Sequence, residues 1–301
     1  MKAELIIKTF LRDGITFLGD TYVTSPFKLM NITEDKKAKK LHLMVMSSSP
    51  GILDEDEYNI NISVTENGAL QLHTQSYQRI FNMQNGAKQN MEIHLAKGAT
   101  FVYLPHPSVP HEQSIFKASN KIYLQDNSSL IWAEILTCGR KLNGEIFQYA
   151  KYHSITDIYL NDKLIIKENL FMQPALINPV LLGQMEGFTH QGSMIVLGGD
   201  RSNTGISQLD NSIIEYKEGD RREEIGDRRN TGIKQFDNST IDNKESRERI
   251  KELAYKYLST IKEISFGVST TPADGMIVRI LGFKAEQLHD IFKHIATLIQ
   301  Y

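Results

Sequence analysis

The stretch ILTCGRKLNGEIF (135–147) holds the one cysteine of a 301-residue chain, Cys138, followed directly by Gly139 and Arg140 and then by Glu145. A thiol beside a guanidinium can serve as a nucleophile or a metal thiolate, because a nearby cation favours the charged form. It can equally be a small buried residue. Four other features carry groups that could do chemistry. The run Asp54, Glu55, Asp56 and Glu57 follows a Pro50-Gly51 turn, and clustered carboxylates suit hard cations. Successive strand residues point to opposite faces, so at most half of that run can converge, and a solvated turn explains it as well. Glu134 stands in LIWAEILT with apolar neighbours on both strand faces. A buried carboxylate must shift its pKa or find a partner, and Arg140 is the nearest cation in sequence. In LPHPSVPHEQ, His106, His111 and Glu112 offer the nitrogen and oxygen donors that nickel or zinc accept, on a loop extended by three prolines. His190, between glycines in MEGFTHQGSM, is a last candidate ligand or a structural imidazole.

The elements that must position these groups are mostly strands. From residue 41 to about 170 the apolar residues recur with period two. Ile60, Ile62 and Val64 share a face before Asn67-Gly68. Met91, Ile93 and Leu95 do so before Lys97-Gly98, and Ile122 and Leu124 before Asp126-Asn127. Gly68, Gly98 and Ser128 lie 30 residues apart, and a fourth unit turns at Asn161-Asp162. Such spacing fits stacked β units, either successive hairpins or the coils of a β-helix-like body. Residues 1–198 therefore read as a β-rich body. The segment GDRSNTGISQLDNSII (199–214) recurs as GDRRNTGIKQFDNSTI (226–241), and this polar duplication makes 199–245 an insertion expected to be mobile. Its Asp200, Arg201, Asp227 and Arg228 read as solvated charges. Residues 246–301 then give a helix, a strand–turn–strand unit and a second helix packing on the body, so the expected fold class is mainly β with a small C-terminal helix–hairpin–helix part.

Several classes of function find no support. There is no GxGxxG, no phosphate-binding GxxxxGK[ST], no HExxH, no CxxC and no GxSxG. The net charge of −2 supplies no general drive toward nucleic acid or an anionic membrane, and no apolar run approaches the roughly 20 residues of a membrane span. One cysteine excludes an intrachain disulfide, and the N-terminal stretch lacks an apolar signal core; a cytoplasmic protein is expected.

The segments SPFKLM (25–30), SPGILDEDEY (49–58), LQLHTQSYQRIF (70–81), FVYLPHPSVPHEQSIF (101–116), AEILTCGRKLNGEIFQY (133–149), MEGFTHQGSM and GMIVRILGF follow one another in an order that resembles the UreD/UreH family of urease accessory proteins. The resemblance covers nearly the whole chain except 199–241. It implies a non-enzymatic scaffold, a chaperone of metalloenzyme maturation. Such a scaffold binds apo-urease together with UreF-type and UreG-type partners, with room for a dimer inside the larger complex, and assists nickel insertion. GTP hydrolysis would belong to the UreG-type partner. No tightly bound cofactor is implied, only Ni2+ in transit through an internal channel. By position, Asp56 matches the motif aspartate, Glu134 the buried acid, and Arg140 with Glu145 the GR…E pair, so the three acids are read as nickel-path or structural and Arg140 as a structural partner. Glu55 stands where the family has glycine, and His106 and His111 are outside the family pattern. Setting the resemblance aside, a β-solenoid acting on or binding carbohydrate is the alternative, with paired carboxylates as acid and base.

Overall fold

In a computed structural model the described residues are 1–198, 239–271, 273 and 275–299. The chain opens with β1 (Lys2–Arg12), β2 (Ile15–Val23), β3 (Phe27–Asn31) and β4 (Lys40–Ser47). It continues through β5 (Glu57–Val64), β6 (Ala69–Thr74), β7 (Gln78–Ile80), β8 (Ala87–Leu95), β9 (Thr100–Tyr103) and β10 (Ser108–Pro110). Then come β11 (Ile115–Leu124), β12 (Ser129–Thr137), β13 (Lys151–Leu160), β14 (Lys163–Met172) and β15 (His190–Leu197). The tail is α1 (Ser239–Ser259), β16 (Ile264–Thr271), β17 (Gly275–Gly282) and α2 (Ala285–Ile299).

Successive strands feed two sheets in turn. One sheet runs β14-β13-β11-β8-β5-β1-β2, and the other runs β16-β17-β15-β12-β9-β6-β4-β3. Within the first, β1, β5, β8, β11 and β13 are parallel neighbours, so Ile62 stands beside Ile93 and Ile93 beside Ile122. Within the second, β4, β6, β9 and β12 are parallel. The 30-residue spacing is thus the length of one coil through both sheets. Asn67-Gly68 joins β5 to β6, which lie in different sheets, and is a corner rather than a hairpin loop.

Asn161-Asp162 is different. It closes an antiparallel hairpin in which Leu160 faces Lys163. Both residues have positive φ, 47° and 63°, which is the backbone of a type I′ hairpin turn. The earlier corners carry a single positive-φ residue each, at Asn67, Gly98 and Asn127. One left-handed residue redirects the strand; two in succession fold it back on itself.

Each strand buries alternate residues, as β8 does with Met91, Ile93 and Leu95 facing the space between the sheets. Fully burying such a side chain contributes about 1.5–3 kcal/mol. A second core lies on the other face of the β9–β12–β15–β17 sheet, where α1 and α2 cover Ile131, Ala133, Ile135 and Val278. The C-terminal hairpin is continuous with the body, because β17 pairs antiparallel with β15. The duplicated segment lies outside the described residues as far as 238, and α1 begins within its last residues. The helix of that region thus starts earlier than 246.

Candidate functional site

β12 lies between β9 and β15 and is buried on both faces. Leu130, Trp132 and Leu136 enter the core between the sheets, whereas Ile131, Ala133 and Ile135 enter the core beneath the helices. Glu134 takes the inter-sheet side and reaches across to the opposite sheet. Ser154 Oγ donates to its Oε1 at 2.8 Å and Thr156 Oγ1 to its Oε2 at 3.3 Å. Asn120 Nδ2 approaches Oε1 at 3.4 Å and donates to Thr156 Oγ1 at 2.9 Å. Among the described residues no ion pair involves Glu134. Burial pushes its carboxyl above the ordinary range; the Ser154 hydroxyl, the Trp132 indole and the Thr156 hydroxyl oppose this without cancelling it.

Glu134 borders two cavities at once. On one side is a space of about 530 Å³ that Glu168 and Arg279 also line, and these two residues pair across the gap from β14 to β17. On the other is a small internal space of about 50 Å³ that includes Gln78, Gln89, Tyr103 and Asn120. Gln78, Gln89 and Tyr103 in turn border a third space of about 120 Å³, which reaches Pro50, Gly51 and Arg79. Polar groups line these spaces: Gln78 Nε2 donates to Gln89 Oε1 at 2.9 Å, and Ser108 Oγ donates to Gln78 Oε1 at 3.0 Å. Asn120 Oδ1, which borders the same small space, is buried without a hydrogen-bond partner.

Arg140 is not the partner of Glu134. Its Nε donates to Glu145 Oε2 at 2.8 Å, a second guanidinium nitrogen meets Oε1, and the Glu112 amide donates to the same carboxylate at 3.2 Å. The Arg140 guanidinium holds the Glu145 carboxyl below the usual range. The chain turns back immediately after Cys138, through Gly139 at φ 119°, and this brings residues 140 and 145 together. Cys138 is fully buried, and burial pushes its thiol up while Lys141 works weakly against it. It packs as a small core residue.

Asp56 is buried near the start of β5. It accepts from the Leu53 amide at 2.8 Å and the Tyr58 hydroxyl at 3.1 Å, and it lies 2.9 Å from the Met1 ammonium. Its neighbours in the acidic run diverge. Asp54 accepts from the amides of Asn85 and Gly86, and Glu57 faces Lys88 and Lys2. Glu55 has φ 62°, so the turn keeps the left-handed backbone that a glycine would favour.

The remaining candidates scatter. His111 is buried with its ring against Phe81, close to the Arg140–Glu145 pair, and Glu112 touches that pair through its backbone. His190 is buried beside Thr189, whose Oγ1 lies 2.8 Å from Nδ1; burial holds its imidazole near 4, with Lys141 adding to the effect. His106 joins histidines that sequence reasoning passed over: its ring lies 4.6 Å from that of His289, and His42 Nε2 is 2.9 Å from His73 Nδ1. A signal was present, since His42, His73 and His106 recur at 31 and 33 residues, close to one coil. Among the described residues no three His, Cys, Asp or Glu side chains already converge on a metal position. No described helix is long and apolar enough to cross a membrane.

A family model described as "UreD urease accessory protein" matches residues 1–301. A urease accessory protein UreD of Flavobacterium johnsoniae is 43% identical over 292 residues, covering 97% of this chain and 90% of the relative. The UreD of Acetivibrio thermocellus is 32% identical over 299 residues, covering 99% and 97%, and that of Haemophilus influenzae 86-028NP is 31% identical over 310 residues, covering 100% and 99%.

Proposed function

The chain belongs to the UreD urease accessory protein family, and on that premise we propose that it is a non-enzymatic cytoplasmic scaffold for urease maturation. It binds apo-urease together with UreF-type and UreG-type partners and assists delivery of Ni2+, which passes between the two sheets along the spaces that meet at Glu134. The observation that carries this reading is Glu134 itself, an acid held by hydroxyls and an amide and bordering two adjoining cavities. A carboxylate meant only to stabilise the core would be better replaced by an apolar residue or matched by a cation. One left without a cation can accept a passing one. Asp56 and Glu145 serve the scaffold instead, since amides and the Arg140 guanidinium already occupy their oxygens. The carbohydrate reading finds less support: Glu134 and Glu168 border one cavity, but Glu168 is tied to Arg279.

The test is Glu134→Gln, which keeps shape and removes charge. Co-expressed with urease and the partner proteins, the variant should give urease with several-fold less nickel per active site while pull-down recovery of the partners stays level. Unchanged nickel content would refute the role given to Glu134.

A further inference from the structure

We propose that the groove between α2 and the outer face of β4, β6 and β9 binds a late first-row divalent transition-metal ion, with His106 and His289 as its imidazole ligands. The groove holds about 640 Å³, and four of the nine histidines border it: His42, His73, His106 and His289. Their rings meet in two pairs, His42 with His73 and His106 with His289. Imidazole is a preferred donor for Ni2+, Cu2+ and Zn2+.

In the second pair a buried imidazole nitrogen is left unsatisfied beside a second ring 4.6 Å away. His289 is 6% exposed, and its Nε2 has no hydrogen-bond partner. Leu104 borders the groove beside it. A hydrogen bond on one ring nitrogen commonly orients a metal-binding histidine. His106 is anchored similarly, with Nδ1 3.2 Å from Thr74 Oγ1 and its backbone amide donating to that oxygen at 2.8 Å.

Two lysines oppose a cation. Burial lowers Lys40, and Lys293 Nζ lies 3.8 Å from Asp290 Oδ1, which mutes both without abolishing them. Because no three ligands converge among the described residues, water completes the coordination shell, and the ion is held exchangeably. His106 also borders the small internal space beside Glu134. That the ion moves inward from here rests on the preceding reading; binding in the groove does not.

Calorimetric titration of NiCl2 into the purified full-length chain, with nickel-edge X-ray absorption for imidazole scattering, tests the site. The wild type should take up one ion with imidazole ligands. His106→Gln with His289→Gln should weaken uptake by about tenfold, while His94→Gln, on an exposed strand face elsewhere, leaves it unchanged. Lys293→Ala should bind as tightly or tighter. Circular dichroism checks folding, and if the double variant is unfolded the half-buried His106→Gln alone is read in its place. The proposal is overturned if the wild type binds no nickel, or if the histidine variants bind like the wild type. It is also overturned if inorganic phosphate occupies the groove in a Lys293-dependent way while nickel does not. Glu134→Gln should keep its calorimetric nickel binding whatever its effect on urease, so the two proposals fail separately.

Discussion

Glu134 and Glu145 flank the same cysteine and are both largely buried, yet their surroundings are opposite. Glu145 sits against a guanidinium, which lowers its carboxyl, whereas burial between the sheets raises that of Glu134, which meets neutral donors and no cation. The first arrangement is self-sufficient and fixes a turn. The second leaves an acid with spare capacity beside a cavity. Burial of an acid therefore says little about its role; the charge of its partners says more.

The largest blow to this contrast comes from removing the donors around Glu134. Ser154→Ala with Thr156→Val strips two hydroxyls from a buried carboxylate and should cost about 2–5 kcal/mol, read as a lower urea midpoint. Arg140→Ala should cost less, because Arg140 is half-exposed and water can replace it.

Next in size is the pH dependence, where the two acids should act with opposite sign. Glu145 has a lowered folded pKa, so its stabilising contribution is present above the unfolded value of about 4.3 and is lost as pH falls through the folded one. Glu134 has a raised folded pKa, so it disfavours folding increasingly as pH rises from the unfolded value through the folded one. Urea midpoints between about pH 3 and 7 should show Glu145→Gln losing ground on the wild type as pH rises through the lower part of that range and Glu134→Gln gaining through the upper part. Parallel profiles for the two variants would erase the distinction.

The smallest effect is expected between them. Cys138→Ala removes one buried sulfur and should cost about 1 kcal/mol, with urease activation unaltered. A severe loss of activation would return the thiol to the list of working groups.

Much of the site was legible at the level of residue types. Glu134 stood out because both faces of its strand were apolar, and the GR…E pair was visible as neighbours on one turn. The pairing itself was not. Arg140 looked like the cation for Glu134, but Glu134 points along the strand normal into the gap, whereas the backbone reverses at Gly139 and carries Arg140 to Glu145. The histidine groove was hidden differently. His42 and His73 lie one coil apart, but His289 reaches them only because α2 packs across the sheet.

By itself the sequence determined the period-two strands, the length of the repeating coil, the two C-terminal helices and the absence of a catalytic motif. These follow from local periodicity and composition, which the chain carries wherever it is placed. Only the tertiary structure decided that Asn67-Gly68 is a corner and Asn161-Asp162 a hairpin, that the C-terminal strands extend the body's own sheet, and that Glu134 meets Ser154 and Thr156. Those outcomes depend on register between strands and on the spacing of two sheets, and residues separated in sequence by 20 or more become neighbours only when both are set.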